Sequence, residues 1–389
     1  MKEILFQQLA EQYDQIVAWR RQMHQHPELS FQEQNTAAYI AEQLESFGLE
    51  VKRGVGGGGI LAYLRGEQSG PTIAFRADFD ALPIQEANDV PYKSKVDGVM
   101  HACGHDGHTA TLLGVAKVLH QNRKHIKGTL VFIFQHAEEK PPGGAKFMIE
   151  DGALDGVDYV FGAHLASDLP LGKVGVRDGA IMAAVDAFTI HIQGKGGHGA
   201  KPHRTVDALV IGTQVVNALQ QIVSRRVNPL QSAVVTIGVF QSGQAFNVIA
   251  DSARIEGTVR TFDPELRKQI EADIRGIVKG ICEAGHAGYE IDYLNGYPAL
   301  VNPKPETELV HELIADSLGS DVFAELEVSM GAEDFAYYLQ HRPGVFFKIG
   351  SQSSEDTAYA HHHPRFDIDE RSLLVSGNVF LSIAAHYLL

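Results

Sequence analysis

Two uninterrupted apolar runs restrict the fold of this 389-residue chain more than any other feature of its sequence. Residues 72–78 read TIAFRAD and residues 129–135 read TLVFIFQ, and the segment TATLLGVAKVLHQN between them has helical spacing. Strands that lack polar alternation are typical of parallel sheets covered by helices on both faces. A third strand is predicted over residues 157–164. This succession of strands and a crossover helix predicts an α/β domain.

The hydrophobic pattern changes at DAFTIHIQG, where apolar and polar residues alternate as in an antiparallel strand with one solvated face. Helices predicted over residues 205–226 and 264–284 then alternate with three more strands. The order strand, helix, strand, strand, helix, strand is that of ferredoxin-like domains. We therefore predict that an α+β domain of residues 181–293 is inserted into an α/β domain made of residues 1–180 and 294–389.

Helical spacing elsewhere in the chain fits the same α/β domain. The predicted helices lie over residues 4–24, 36–47, 305–318, 332–340 and 370–389. The apolar run VFFKIG precedes the last of them and predicts one more buried strand.

Charge and cysteine content limit the partners and the compartment. The net charge of −15 disfavours nucleic acids and anionic membranes as partners, because a polyanion needs a basic surface. No apolar run approaches the ~20 residues of a membrane span, and the N-terminus has no apolar signal core. The two cysteines, Cys103 and Cys282, cannot build a disulfide framework. We therefore expect a cytoplasmic protein.

Metal-ligand side chains concentrate in the segment HACGHDGH, residues 101–108. Four more groups follow predicted strands or lie in loops, where open α/β sheets carry their sites. These groups are Asp78 with Asp80, Glu138 with Glu139, His164, and His361 with His362 and His363. Each group alone has an ordinary structural explanation, such as a strand cap, a solvated surface or a small core residue. Together they predict a metal site.

The mixture of one cysteine with histidines and carboxylates suits zinc, manganese, cobalt or nickel. There are more candidate ligands than one tetrahedral ion uses, so the sequence predicts two divalent ions per subunit, which is the arrangement of many hydrolases. One carboxylate of the Glu138–Glu139 pair can bind metal, and the other can take a proton from the attacking water.

Several motifs occur in order along nearly the whole chain. They are MHQHPELSFQEQNT, DFDALP, HACGHDGH, AEE, GAH, GKGGHGAKPH and HHHPRFDIDE. Together they resemble the M20 metallopeptidase superfamily, and specifically its amidohydrolase branch of N-acyl-L-amino acid amidohydrolases, hippurate hydrolases and indole-acetyl-amino acid hydrolases. The resemblance implies a zinc-peptidase-like catalytic α/β domain. It also implies that the inserted domain serves as a lid and dimerisation domain, in a homodimer or a higher homo-oligomer.

The resemblance also implies a ligand set. The implied metal ligands are Cys103, His105, Glu139, His164 and His362. His362 is preferred over its two neighbours because the branch has His, one residue, then Pro. Glu138 would be the general base and acid, and Asp80 would orient a ligand. The wider superfamily has His-x-Asp where this chain has Asp78-Phe79-Asp80, so its first histidine ligand is absent here.

Three residues of the inserted domain complete the implied site. His198 would stabilise the oxyanion of the tetrahedral intermediate, in related dimers within the partner subunit's site. Asn247 and Arg260 match substrate-contacting positions, and the Arg260 guanidinium suits a free carboxylate. The ordinary alternatives are a loop histidine and a surface strand arginine.

These residues predict metal-dependent hydrolysis of the amide bond of N-acyl amino acids to a carboxylic acid and a free amino acid. A dipeptidase or carboxypeptidase, or an N-acetyl-diaminopimelate deacetylase, would use the same chemistry. Two further alternatives remain open at this point. One is a cysteine-nucleophile hydrolase that uses Cys103 with His105, and the other is a non-catalytic metal-binding protein.

Overall fold

The computed structural model describes residues 1–389, which form two compact units. The first unit consists of Met1–Ile181, Val301–Glu327 and Asp334–Leu389. The second unit consists of Met182–Leu300 and Val328–Glu333. Each unit has its own sheet and its own hydrophobic core.

Ten α-helices and sixteen strands make up the chain. The helices are α1 (Lys2–Ala10), α2 (Tyr13–Gln25), α3 (Gln34–Ser46), α4 (His105–Gln121), α5 (Gly144–Glu150), α6 (Ala208–Gln221), α7 (Pro264–Ala284), α8 (Lys304–Leu318), α9 (Phe335–His341) and α10 (Ser372–Leu388). The strands are β1 (Glu50–Val55), β2 (Gly59–Arg65), β3 (Gln68–Asp78), β4 (Lys127–Gln135), β5 (Tyr159–Pro170), β6 (Val174–Gly175), β7 (Gly179–Met182), β8 (Ala184–Gln193), β9 (Gly197–His198), β10 (Ala233–Ser242), β11 (Val248–Ile249), β12 (Ser252–Thr261), β13 (Gly288–Asn295), β14 (Leu300–Asn302), β15 (Phe323–Ala324) and β16 (Gly344–Gln352). None of the helices combines the length and the apolar character that crossing a bilayer requires.

The first unit is built on an eight-stranded sheet in the order β1-β2-β4-β3-β5-β16-β6-β15. Its centre is parallel, since β3 pairs in parallel with both β4 and β5, and β5 pairs in parallel with β16. The hairpin β1–β2 joins β4 in antiparallel fashion and was not predicted from the sequence.

Helices cover both faces of this sheet, as the apolar runs predict. On β16, Phe346 packs against Phe335 of α9 with ring centroids 5.1 Å apart. The next residue, Phe347, packs on the other face against Phe380 of α10 at 5.4 Å. All four rings are buried. Successive residues of one strand therefore enter two apolar layers, so a continuous apolar run is required.

The second unit contains a four-stranded antiparallel sheet in the order β10-β12-β8-β13. Along β8, buried and more exposed residues alternate, so one face of this strand meets the core. Helix α7 packs its stripe of Ile270, Ile274 and Val278 into the core on that face. The strand order and the two helices have the ferredoxin-like arrangement. The prediction of a mixed fold with an α/β part and an α+β part is confirmed.

The predicted helix over residues 4–24 is wrong in one respect, because it is two helices, α1 and α2, separated at Glu11 and Gln12. Leu9 and Ile16 flank the break, and side-chain atoms of both lie near Gly114 of α4. These two residues are seven apart, or about two helical turns, so the apolar spacing stays in phase across the break. Hydrophobic periodicity therefore could not detect it.

The helix predicted over residues 205–226 begins later, at Ala208, and ends in a π-helical turn, Ile222–Arg226. Val206 is extended because it exchanges two backbone hydrogen bonds with Lys195, of 2.8 and 2.9 Å. Asp207 then caps α6, its carboxylate accepting the Val210 N–H. Backbone pairing with Lys195 thus keeps the first residues of this segment out of the helix, although the segment has helical apolar spacing.

Candidate metal centre

The carboxyl ends of the parallel strands bring the predicted site segments together in the first unit. Asp78 at the end of β3 lies opposite Gln135 at the end of β4, so the two following loops leave the sheet side by side. The Glu139 N–H in the second loop donates to Asp80 Oδ2 in the first, at 2.9 Å. Strand β5, with His164, borders β3 on its other side.

Helix α4 starts at His105, immediately after Gly104, whose positive φ of 90° permits the sharp turn into the helix. His105 Nδ1 lies 3.0 Å from the Asp80 backbone oxygen and 3.1 Å from Asp80 Oδ1. Its Nε2 is buried and has no hydrogen-bond partner. Burial opposes protonation of the ring, but the carboxylates of Asp78 and Asp80 raise the pKa of His105 to about 10. A cation at Nε2 would take the place of that proton.

Cys103 and His164 face each other, with Sγ 3.4 Å from Nε2. His164 Nδ1 donates to the Leu165 backbone oxygen at 2.6 Å, so the Nε2 lone pair points toward the sulfur. Burial, together with nearby histidines, holds the pKa of His164 well below its usual value, which keeps the ring neutral. Burial and the charges of Glu139 and Glu138 raise the pKa of the Cys103 thiol, so a nearby cation would be needed to form the thiolate.

Glu139 lies between His105, from the early histidine motif, and His362, from the late histidine loop. Its Oε1 lies 4.0 Å from His105 Nε2 and 3.1 Å from His362 Nε2. His362 has a positive φ of 65°, and its N–H donates to the Ala102 oxygen at 2.8 Å. That backbone bond fastens the late histidine loop beside Cys103. All five side chains of the implied ligand set therefore belong to one connected cluster.

His361 is a second candidate in the late loop. Its ring centroid lies 5.1 Å from that of His164, and it joins Cys103 and His164 in one group of closely spaced ligand atoms. However, His361 Nε2 donates to the Leu165 backbone oxygen at 2.9 Å, so that nitrogen is not available to coordinate a metal ion. The choice between His361 and His362 stays a prediction.

The other two histidines of HACGHDGH differ from His105 in the hydrogen bonds that their ring nitrogens form. His108 Nδ1 donates to Asp78 Oδ1 at 2.6 Å, and its Nε2 accepts the Leu165 N–H at 2.9 Å. Both nitrogens are therefore occupied, and His108 fixes β5 to β3. His101 is buried with neither nitrogen paired, and burial lowers its pKa to about 4. The motif's three histidines thus have three different environments, which the sequence could not distinguish.

Glu138, the predicted general base, is buried next to this cluster, at 6% exposure. It follows Ala137, whose φ of 52° is unusual for a residue with a side chain. The Glu139 N–H is held by Asp80, and Glu139 Oε1 faces His105 and His362. The pair can therefore divide the two tasks of binding a cation and moving a proton.

The donor set fits a borderline divalent cation. The ligand atoms of Cys103, His105 and Glu139 lie within 4.8 Å of one another, and the same holds for Cys103, His164 and His361. A sulfur, imidazole nitrogens and a carboxylate are the donors that zinc and its neighbours prefer. Cys103 belongs to both groups, as expected if its sulfur is shared. The buried Nε2 of His105 has no hydrogen-bond partner, and this is the most direct indication of a cation site in the cluster.

The remaining predicted residues belong to the second unit. His198 on β9 pairs with Val248 on β11, and the backbone oxygen of Asn247 accepts the Gly199 N–H at 2.8 Å. The Ala200 N–H donates to His198 Nδ1, so the neutral ring carries its proton on exposed Nε2, as a hydrogen-bond donor requires.

Arg260 lies apart from His198 and Asn247 within the second unit. It stands near the end of β12, whereas the turn from β11 enters that strand at Ser252. The strand between them spans about 26 Å at about 3.3 Å per residue. The Arg260 guanidinium contacts Thr258 Oγ1 and the Val259 oxygen, and burial lowers its pKa. Within one chain, Asn247 and Arg260 therefore do not meet around a ligand of amino-acid size.

A buried ionic cluster between α2 and α4 was not predicted from the sequence. Arg20 contacts Asp106 at 2.8 Å, Asp367 at 2.7 Å and Glu370 at 3.2 Å. His24 Nδ1 donates to the same Asp106 oxygen at 2.8 Å. This cluster ties α2 to the first turn of α4 and to the segment after the late histidines. The only sequence signal was charged residues at helical spacing on the inward side of α2.

Comparisons with known proteins show which family this chain resembles. The sequence profile described as peptidase family M20/M25/M40 matches residues 74–386. YhaA of Bacillus subtilis, provisionally named an amidohydrolase, is 54% identical over 376 residues, which cover 96% of this chain and 95% of that protein. The N-acyl-L-amino acid amidohydrolase of Geobacillus stearothermophilus is 53% identical over 288 residues, 74% of this chain and 78% of that protein. A crystal structure of a dinuclear metal-binding M20 peptidase from Bacillus subtilis superposes with a TM-score of 0.82 at 39% identity, covering 96% of this chain and 98% of that one.

Proposed function

This chain belongs to peptidase family M20/M25/M40 and is a metal-dependent amide hydrolase, and we propose that its substrates are N-acyl amino acids. The products would be a carboxylic acid and a free amino acid. The observation that carries the proposal is the connected cluster of Cys103, His105, Glu139, His164 and His362 with buried Glu138 beside it. The similarity to an N-acyl-L-amino acid amidohydrolase supports the substrate class.

We propose that these five side chains would hold two divalent ions. When bound, such ions polarise the scissile carbonyl and make water acidic enough to attack at neutral pH. Asp80 keeps the His105 ring oriented through Nδ1, so that Nε2 faces the cluster. The similarity to a dinuclear metal-binding peptidase supports the number of ions.

Glu138 is the proposed proton carrier. Its carboxylate takes a proton from the attacking water and returns it to the leaving nitrogen, so that the amine departs neutral. Burial in a loop held by Asp80 restricts its motion, which is what repeated proton transfer between two fixed positions requires. The roles of His198 as oxyanion donor and of Asn247 and Arg260 in substrate contact stay predictions, as do the homodimer and the cytoplasmic location.

A substrate panel tests the proposal. Protein loaded with Mn²⁺ or Zn²⁺ is offered N-acetyl, N-benzoyl and indole-acetyl amino acids beside free dipeptides, and release of the amino group is measured. We expect hydrolysis of at least one N-acyl series and a loss of about 10²–10⁴-fold in kcat for Glu138→Gln. A preference for free dipeptides would favour a dipeptidase. A fully metal-loaded protein without turnover on either class would contradict the assignment, and wild-type turnover by the Gln variant would remove Glu138 as the base.

A further inference from the structure

A cavity of about 740 Å³ in the first unit lies against the loop that carries Glu138 and Glu139. Its walls come from α3, the turn between β1 and β2, His136 and residues 140–142. Phe31, Phe147, Ile60 and Pro141 provide apolar surface. The volume is within the ~300–1,000 Å³ of pockets that hold small molecules.

Strained backbone borders this cavity on two sides. Phe31 has a φ of 66°, and Ala137, which adjoins lining residue His136, has a φ of 52°. A left-handed conformation is costly for a bulky residue such as phenylalanine, and such conformations cluster at ligand sites. The strained backbone places the Phe31 ring, 41% exposed, at 6.3 Å from the ring of Phe147. The two rings meet edge to face, so they form one aromatic wall of the cavity.

The polar groups of the cavity give it a chemical preference. Lys140 lines the cavity and forms no ion pair, whereas the other lining cation, Arg53, is committed to Glu45 at 2.8 Å. His136 is buried, and its Nδ1 has no hydrogen-bond partner. Glu33 lies at the wall with one oxygen accepting the Ala137 N–H at 2.8 Å. The cavity thus offers one uncommitted positive charge, that of Lys140, to an otherwise apolar ligand.

We propose that this cavity is a second binding site, separate from the metal cluster, for a planar aromatic carboxylate. The ring would pack against the aromatic wall that Phe31 and Phe147 form, and the carboxylate would pair with Lys140. The ring faces contribute stacking and the ammonium contributes the charge. Because Glu33 holds the Ala137 N–H, the site touches the residue that precedes Glu138. The binding claim does not depend on the proposed substrate.

Isothermal titration of the full chain with 2-naphthoate tests the proposal. The titration is done after chelation and dialysis, so that binding of the carboxylate to metal cannot contribute. A Kd of about 1 mM or tighter is expected for a ligand of this size. The neutral amide, 2-naphthamide, should bind at least about fivefold more weakly. In Lys140→Met the two compounds should bind equally.

A cavity-filling pair of variants locates the site. Ala38→Phe adds a ring to a lining position on α3, whereas Glu42→Phe adds the same ring to an exposed position on that helix. We expect Ala38→Phe to weaken 2-naphthoate binding at least about tenfold and Glu42→Phe to leave it unchanged. If Ala38→Phe fails to fold, the smaller Ala38→Leu replaces it. Binding that persists in the filled variant, or that appears only after metal is added, would overturn the proposal.

Discussion

The Asp80 carboxylate holds two parts of the metal cluster at once. Its Oδ1 lies 3.1 Å from His105 Nδ1, and its Oδ2 accepts the Glu139 N–H at 2.9 Å. One buried carboxylate therefore fixes the ring direction of one predicted ligand and the backbone of another. Partners of this kind set the affinity of a metal site as well as its shape.

Asp80→Ala should therefore weaken metal binding about 10–100-fold, because both His105 and Glu139 lose their support. Competition with a chromophoric chelator measures the change. Ser30→Ala is the matched control, since Ser30 Oγ donates to Asp80 Oδ2 at 2.7 Å without touching a predicted ligand. Its effect should be less than about tenfold. Equal affinities for Asp80→Ala and wild type would contradict the orienting role.

The three consecutive histidines of the late loop allow a direct comparison. His362→Ala should lower metal content more than His361→Ala, because His362 Nε2 faces Glu139 whereas His361 Nε2 is bonded to the Leu165 oxygen. His363→Ala is the control, since this exposed ring stacks on Tyr359. Metal content by plasma emission spectrometry after dialysis provides the measurement. The reverse order of the first two variants would make His361 the ligand.

Metal removal should abolish amide hydrolysis and should leave Cys103 slow to react with alkylating reagents. Chelation should stop turnover, and added Mn²⁺ or Zn²⁺ should restore it. Iodoacetamide labelling of Cys103, followed by mass spectrometry, should be slow at neutral pH because burial and two carboxylates raise the thiol pKa. Cys282, buried in α7, is the internal reference. Turnover that survives chelation and is lost on alkylation would support a cysteine nucleophile instead.

Arg20→Met should destabilise the fold by about 3–5 kcal/mol, since it leaves the buried Asp106 carboxylate without its guanidinium partner. Guanidinium denaturation measures the free energy of unfolding. Arg21→Met is a close control because Arg21 also pairs with Glu370 but is 43% exposed. Its cost should stay below about 1 kcal/mol. Similar losses for the two variants would argue against a special contribution from the buried ion pair.

Glu33 should make stability depend on pH. Burial, with help from the charge of Asp80, raises the pKa of Glu33 from 4.5 to about 7. The folded state binds this proton more tightly, so the contribution of Glu33 to stability is greatest below pH 4.5, falls as pH rises from 4.5 to 7, and is then constant. The total change is about 3 kcal/mol.

Glu33→Gln should remove this dependence while keeping an oxygen that accepts the Ala137 N–H. Denaturation of the chelated protein across this pH range provides the test. The variant should gain stability relative to wild type as pH rises. A difference between the two proteins that is the same at every pH would contradict the raised pKa.

Much of the fold could be predicted from the sequence, because a strand that is buried on both faces appears in the sequence as a continuous run of apolar residues. Phe346 and Phe347 enter opposite layers, and both must be apolar. The hairpin of β1 and β2 left no comparable trace, since β1 is mostly solvent-exposed and tolerates charged residues. The break between α1 and α2 was likewise invisible because it preserves the apolar phase.

The sequence by itself determined which residue types are available for metal chemistry and that they follow strand ends. Only the tertiary structure decided which nitrogen of each histidine remains available. His105 and His108 lie one turn apart on α4, yet Asp80 leaves His105 Nε2 unpaired whereas the Leu165 N–H occupies His108 Nε2. A ring nitrogen's availability depends on hydrogen-bond partners distant in sequence, and only folding of the chain brings those partners within reach.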